Sequence, residues 1–420
     1  MHAILGGRGA ALCSLRCARW SRSVATRAEQ IGVRCTIMRG GTSKALFIHD
    51  VDLPADQVER ERMLLRLFGS PDVRQIDGLG GADPLTSKLA IIGKPTRPDT
   101  DVAYTFGQIS TVEAFIDWAG NCGNISSAVG PFAIDDGLVP KAEANSTFRE
   151  VRIHQTNTDA VLIARVPLTP DGKARIAGDC AISGVPGSGA AIELDFCDTA
   201  GAVTGQLLPT GSARDVLTIS SGEQVEVSIV DAGTPTVFLH ASDVGLSGRE
   251  LPSEVEATAG LLKRVEAIRA AACVRLGLVE HAADAAKVTP YLPFIATVAP
   301  TQPYTDFTTG ETVSGVDFIS RLFFMQRLHK AYPVTGTVAT GAAARLPGTI
   351  VHEVCHDQPA LESVNGGEVS IGHPSGQITI DIVLSLPADG STSGPTLERA
   401  VLVRTARRLM DGTAYVPGGM

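Results

Sequence analysis

Cys122 stands in the stretch Gly120-Asn-Cys-Gly-Asn124, where a run of small and apolar residues, Ile125 to Ile134, begins. A thiol at a helix N-terminus has its thiolate favoured by the helix dipole, which makes it a usable base or nucleophile. Gly123 lets a substrate approach the backbone, and the N–H groups of Gly123 and Asn124 suit a carboxylate. A small buried cysteine in a tight turn is the competing reading. Lys88 ends the Gly-rich stretch Gln75-Ile-Asp-Gly-Leu-Gly-Gly-Ala-Asp-Pro-Leu-Thr-Ser-Lys88 and leads into the apolar Leu89-Ala-Ile-Ile92. A lysine held between a loop and a buried strand is desolvated, and its pKa falls towards that of a working base. The competing reading is a surface lysine at a strand start. Ser87 precedes it with a hydroxyl. Arg39-Gly-Gly-Thr-Ser-Lys44 lacks the Gly-Lys-Ser/Thr order of a phosphate loop. Its donors (Arg39, Gly40, Thr42, Ser43) nevertheless suit a carboxylate, unless it is a plain hairpin turn. His373-Pro-Ser-Gly376 is a second candidate anion clamp, through His373 and Ser375.

His352-Glu-Val-Cys-His356 matches the zincin pattern, whose chemistry needs a helix that sets both histidines on one face. The β-branched run before it, Thr349-Ile-Val351, predicts a strand. Two histidines four residues apart on a strand are separated by roughly 13 Å, too far for one zinc. Zinc hydrolysis is the alternative from another class, and a non-catalytic acid-binding protein a further one.

These residues need elements to position them. Val33–Met38 and Ala45–His49 read as strands flanking the Gly-Gly turn, and Asp56–Phe68 has helical spacing. Ile125–Ile134 reads as a helix buried on all sides. Residues 151–166 and 190–197 read as strands, Ser253–Gly277 as an amphipathic helix and Phe318–Tyr332 as another. Strand patterns return at 349–355, 368–371, 377–384 and 398–404. There is an internal echo: Asn121-Cys-Gly-Asn-Ile-Ser-Ser-Ala opens one small-residue helix and Ala339-Thr-Gly-Ala-Ala-Ala another. Two similar halves, each wrapping strands around a central helix, would produce it.

Composition limits the rest. The chain has 420 residues, 44% of them hydrophobic, enough for a large core in two or three domains. A net charge of −9 gives no global basic field, so nucleic acid is not an expected partner. No run of 18 apolar residues predicts a membrane span. Eight cysteines follow no zinc-ribbon or disulfide-framework spacing and read as reduced thiols. Residues 1–30 hold five arginines, no lysine and a single acid, Glu29, which is transit-peptide composition. The expectation is a mitochondrial matrix protein, with a cytoplasmic one as the alternative.

Together the motifs resemble one family. Met38-Arg-Gly-Gly-Thr-Ser-Lys44, Gln75-Ile-Asp-Gly-Leu-Gly-Gly, Thr86-Ser-Lys88, Asn121-Cys-Gly-Asn124, Val334-Thr-Gly-Thr337 and Gly372-His-Pro-Ser-Gly376 stand in the order seen in the PrpF family. Its members include 2-methylaconitate cis–trans isomerase, aconitate Δ-isomerase and 4-oxalomesaconate tautomerase. The resemblance runs from about residue 33 to the C-terminus. It implies a diaminopimelate epimerase-like α/β (α+β) fold of two similar domains, each a curled sheet around a central helix, with the site in the cleft. The implied domains are 31–208 plus 395–420 and 209–394. In epimerase relatives two cysteines face each other across the cleft; Cys122 takes the first position and Thr340 the second. A two-thiol mechanism is therefore not expected, and Lys88 with Cys122 is the implied catalytic pair. His329, Thr335 and Gly336 join the implied substrate contacts. No cofactor or metal is expected. The implied partner is a small unsaturated polycarboxylate, and a homodimer is possible. Two departures bear on specificity: Ala45 where the family usually has Gly, and Phe294 where it often has lysine.

Overall fold

Short apolar runs between glycine turns become strands, and their pairing repeats itself along the chain. The computed structural model describes residues 26–27, 29–143, 145–355, 366–386 and 394–418. The transit-peptide expectation falls almost wholly outside them. In the first half the strands Gln30–Gly40, Ser43–His49, Lys88–Gly93, Val102–Ile109, Phe148–Gln155, Ala160–Pro167 and Ile192–Asp195 lie side by side in chain order. Their senses run antiparallel, parallel, antiparallel, parallel, antiparallel, antiparallel. In the second half Gln224–Ala232, Thr234–His240, Phe294–Pro300, Phe318–Phe324, Gly366–His373, Gly376–Ser385 and Thr396–Arg404 repeat the same series of senses. The last strands of the two series pair with each other, and the closing strand Ala406–Pro417 runs antiparallel along Gln30–Gly40.

The helices keep the same places in both halves. Between the second and third strands stands α1 (Gln57–Phe68) in one half, and α3 (Pro252–Ala257), α4 (Leu261–Arg275) and α5 (Ala285–Val288) in the other. Between the fourth and fifth stand α2 (Gly123–Asp135), and α6 (Val334–Arg345) with α7 (Ile350–Cys355). Parallel neighbours need such crossovers, which hairpins cannot supply. Residues Gly123 to Ile134 of α2 are all buried, as is every residue of α6. Their small side chains let the sheets close in: a Cβ at Gly130 would meet Val166 Cγ2 at 2.8 Å, and one at Gly341 would meet Ile380 Cγ2 at 2.7 Å. One apolar core encloses both central helices, and two more lie under α4 and α1.

Four expectations are corrected. Phe318–Tyr332 is not a helix: Phe318–Phe324 is a strand that turns at Met325 and Gln326, both at positive φ, into Arg327–Leu328. The strand is buried along its whole length, Ser320 and Arg321 included, so it shows no apolar–polar alternation that would mark it as a strand. Residues 350–355 form a helix, not a strand, because tertiary packing of Ile350, Val351 and Val354 overrides β-branched propensity. Ser253–Gly277 is two helices, broken before Gly260, whose φ of 78° marks the left-handed N-cap of α4. The second central helix opens at Val334, five residues before Ala339.

Candidate active site

Lys88 is the first residue of its strand, opposite Ala45 on the parallel neighbour and Gln108 on the antiparallel one. It is 3% exposed. Its Nζ donates to Gln108 Oε1 at 2.6 Å and lies 5.3 Å from the Phe106 ring centroid and 5.8 Å from that of Phe324. The Gln108 amide nitrogen donates to the carbonyls of Pro84 and Ser87, which turns its oxygen towards the lysine. Burial among these groups pushes the Lys88 pKa below the ordinary lysine value, against the opposing pull of Cys122 and Asp83.

Cys122 is the N-cap of α2, and its Sγ lies 4.0 Å from Ser43 Oγ. Ser126 Oγ donates to the Cys122 carbonyl and to Asn121 Oδ1, which fixes the turn. Asn124 Oδ1 accepts from the Thr42 N–H at 3.3 Å. The Gly-Gly turn is pressed against it: a Cβ at Gly40 would meet Asn124 O at 2.3 Å, and one at Gly41 would meet Asn124 Oδ1 at 2.0 Å. Across the cleft, the Tyr291 hydroxyl donates to Asn121 O at 2.6 Å and ties the second half to the mouth of α2.

A pocket at this junction brings together Lys88, Cys122, Ser43, Gly123, Asn124, His329 and Thr335. Its free space is about 10 Å³, room for little more than one water molecule. Thr335 Oγ1 is buried there without a hydrogen-bond partner. His329 accepts from the Ala331 N–H through Nδ1 at 3.1 Å, and burial, with Lys88 adding to it, holds its pKa down to about 3. It is a neutral imidazole.

Other expected site residues lie elsewhere. Arg39 donates to the carbonyls of Gly41 and Thr405 and so braces the turn. Gly40 is the close contact with α2 described above. Ser87 Oγ donates to Gln75 Oε1 at 2.6 Å inside the Gly-rich loop. Gly336 packs on Leu322 and Phe294. Ser375 Oγ donates to Lys330 O, and its N–H donates to His373 Nδ1. His373 and Thr42 line a larger cavity of about 420 Å³, together with Cys180 and Arg404. That cavity contains neither Lys88 nor Cys122, so its size does not outweigh the chemistry of the smaller one. Gln108, Tyr291, Phe324 and Pro333 were not singled out by sequence; strand register sets Gln108 and Phe324 beside Lys88, while Tyr291 and Pro333 line the pocket from a loop and from the N-cap of α6.

Thr340 is also corrected. It lies in the second turn of α6, where its hydroxyl donates to Gly336 O and pairs with the Tyr332 hydroxyl. The counterpart of Cys122 is the N-cap of α6, Pro333. Glycine contacts confirm the correspondence: Gly40 and Gly41 press on Asn124, and a Cβ at Gly233 would meet Thr335 O at 2.7 Å.

His352 to Cys355 of the zinc match stand on a helix and not on a strand, which removes the argument from strand spacing. Yet His352 Nδ1 faces the carbonyl of Ala344, and Glu353 is paired with Arg214. His356 lies outside the described residues. Among the described residues no three His, Cys, Asp or Glu side chains gather around a point that could hold a metal.

Two similar lobes, each a curled sheet around a buried helix whose N-terminus faces the cleft, define the diaminopimelate epimerase-like fold. A crystal structure of a hydroxyproline epimerase from Agrobacterium vitis shares it at TM-score 0.51 and 10% identity, covering 92% of this chain and 93% of that one. Within that fold the chain belongs to the PrpF family, whose profile, described as PrpF protein, matches residues 30–417. A 3-methylitaconate isomerase of Eubacterium barkeri is 51% identical over 92% of this chain and 98% of its own. A 2-methyl-aconitate isomerase of Shewanella oneidensis is 39% identical over 92% and 98%. A 4-oxalomesaconate tautomerase of Pseudomonas putida is 40% identical over 92% and 97%. The crystal structure of a methylitaconate-delta-isomerase superposes at TM-score 0.73 with 51% identity, covering 92% of this chain and 96% of that one.

Proposed function

We propose that this chain is an isomerase of small unsaturated di- and tricarboxylates that moves one proton through Lys88, with Cys122 beside it. The observation that carries the reading is Lys88, the one buried lysine among the described residues, its pKa lowered, held by Gln108 at the mouth of α2 and next to a thiol whose opposite number is Pro333. A pair of facing thiols is not available, so the base is the amine. Neutral Lys88 removes a proton from a carbon that is both allylic and next to a carboxylate. The C–H electron pair enters the conjugated system as a dienolate. Return of the proton to the far carbon shifts the double bond; return to the original carbon after rotation exchanges cis for trans. Charge on the enolate oxygens is met by N–H groups of Gly123 and Asn124 and by the Ser43 and Thr335 hydroxyls. The names of the relatives favour methylitaconate- or methylaconitate-like acids, and the tautomerase relative supports keto–enol transfer as a second reading.

The relatives named are bacterial and give the mitochondrial expectation no support. A homodimer remains a proposal. The closing strand pairs on one side among the described residues and leaves Leu409, Met410 and Tyr415 exposed.

Proton NMR in deuterated water tests the chemistry. The wild type is expected to isomerise 3-methylitaconate or trans-aconitate, or to exchange their allylic protons. Lys88→Ala is expected to lose about 10²–10⁴-fold in rate. Exchange that survives Lys88→Ala would transfer the role of base to another group, with Cys122 next in line.

A further inference from the structure

The repeated strand series assigns every position in the Lys88 half a counterpart in the other half. Lys88 is the first residue of its strand and lies opposite Ala45 on the parallel neighbour; Phe294 is the first residue of the equivalent strand and lies opposite Thr236. One residue further in, Leu89 faces Gly107 and Ile295 faces Phe323, so Gln108 corresponds to Phe324. The N-cap Cys122 corresponds to Pro333. The two faces of the pocket are therefore built on one plan with opposite chemistry. Lysine, amide and thiol stand on one side, and phenyl, phenyl and pyrrolidine on the other.

We infer that Phe294 is the specificity-determining residue of this site: it makes the face opposite Lys88 a socket for an alkyl group and excludes a third carboxylate. The inference rests on the function proposed above and specifies which acids that site accepts. Phe294 is 1% exposed, and its ring meets Tyr291 at 5.5 Å and Phe324 edge-on at 6.2 Å between centroids. Gly336 lies directly behind it, where a Cβ would come within 3.3 Å of the ring, so the position of the phenyl is built into α6. A carboxylate pressed against Phe294 loses its water and gains no donor from Phe294, Phe324 or Pro333, and the imidazole on this side of the pocket, His329, packs on Phe324 and not on Phe294. A methyl group there is removed from water at no such cost. Two carboxylates can still be met, one at the N-terminus of α2 and one at that of α6, where the Thr335 hydroxyl has no partner. The substrate is thus a dicarboxylate bearing an alkyl branch.

The test compares kcat/KM for 3-methylitaconate, a methyl-branched dicarboxylate, with that for trans-aconitate, a tricarboxylate, in the wild type and in Phe294→Lys. Both are followed by proton NMR, with circular dichroism as the check on folding. The wild type is expected to favour the dicarboxylate by on the order of 100-fold. Phe294→Lys, which supplies a cation at that face, is expected to cut the ratio at least tenfold, by losing the first acid and gaining the second. Phe294→Gln supplies an uncharged donor of similar size and is read in the same way if the lysine variant does not fold. Equal rates for the two acids in the wild type, or an unchanged ratio in a folded, active variant, would overturn the inference and leave the isomerase reading standing. A wild type that neither isomerises nor deuterates either acid would overturn both.

Discussion

Lys88 shows how one side chain acquires its chemistry from its neighbours. In the proposed reaction the neutral amine is the working form, so kcat/KM should rise with pH through the lowered pKa and level off below the usual lysine value of 10.5. His329, held at about 3, should contribute no limb between pH 5 and 8. The same shift has a consequence for folding. The unfolded chain holds the Lys88 proton to higher pH than the folded one, so across that window the contribution of this group to stability rises with pH. Gln108 accepts from Nζ and thereby favours the ammonium form. Gln108→Leu should move the acid limb of the pH profile to lower pH and reduce kcat, because the amine gives up its proton more easily and is no longer aimed. A limb that stays in place would show that the profile reports another group.

At the scale of elements, the site depends on a turn pressed against a helix end. Gly41 has φ +49°, and its Cα lies where a side chain would strike Asn124. Gly41→Ala should destabilise the protein by about 1–3 kcal/mol, from the left-handed backbone and the overlap together. Urea unfolding should show it as a lower midpoint at an unchanged slope. Activity should fall more than stability accounts for, since the shift displaces Ser43 and Asn124 at once. The N-terminus of α6 is held in the same way by Gly233. The hairpin Phe318–Leu328 places Phe324 against Lys88 because Met325 and Gln326 accept positive φ in its turn.

At the scale of the whole molecule, both ends of the chain meet in one ladder. Ala406–Pro417 pairs with Gln30–Gly40, and Thr405 O accepts from the Gly41 N–H and from Arg39. Thr405, the residue that leads into the last strand, thus holds the Gly-Gly turn from 366 residues away in sequence. A chain ending at Arg404, which removes the Thr405 carbonyl together with the strand, should lose cooperative unfolding and activity together, measured by thermal melting with circular dichroism beside turnover. Retention of both would mean that the second strand of each series suffices to hold the turn. The two halves also meet through Tyr291 on Asn121 and Lys330 on Asp83. The space left between them at the Lys88 pocket is about 10 Å³.

Sequence alone determined the chemistry-bearing motifs and the buried α2, because a Gly-flanked cysteine before a run of small residues and a lysine between a loop and an apolar strand are local patterns. The echo of two helix-centred halves was legible for the same reason, though shifted by five residues at α6, which begins at Val334 and not at Ala339. It could not determine what stands opposite Lys88. Gln108 and Phe324 reach the amine through strand register, and Tyr291 reaches the mouth of α2 through a contact with Asn121 170 positions away in sequence; no local period encodes these. Nor could it separate a strand buried on both faces, Phe318–Phe324, from a helix, or recognise that packing makes Ile350–Cys355 helical. Residue type fixes which groups can carry a proton. Tertiary structure alone decides which of them loses its water, which faces an aromatic ring, and so which one works.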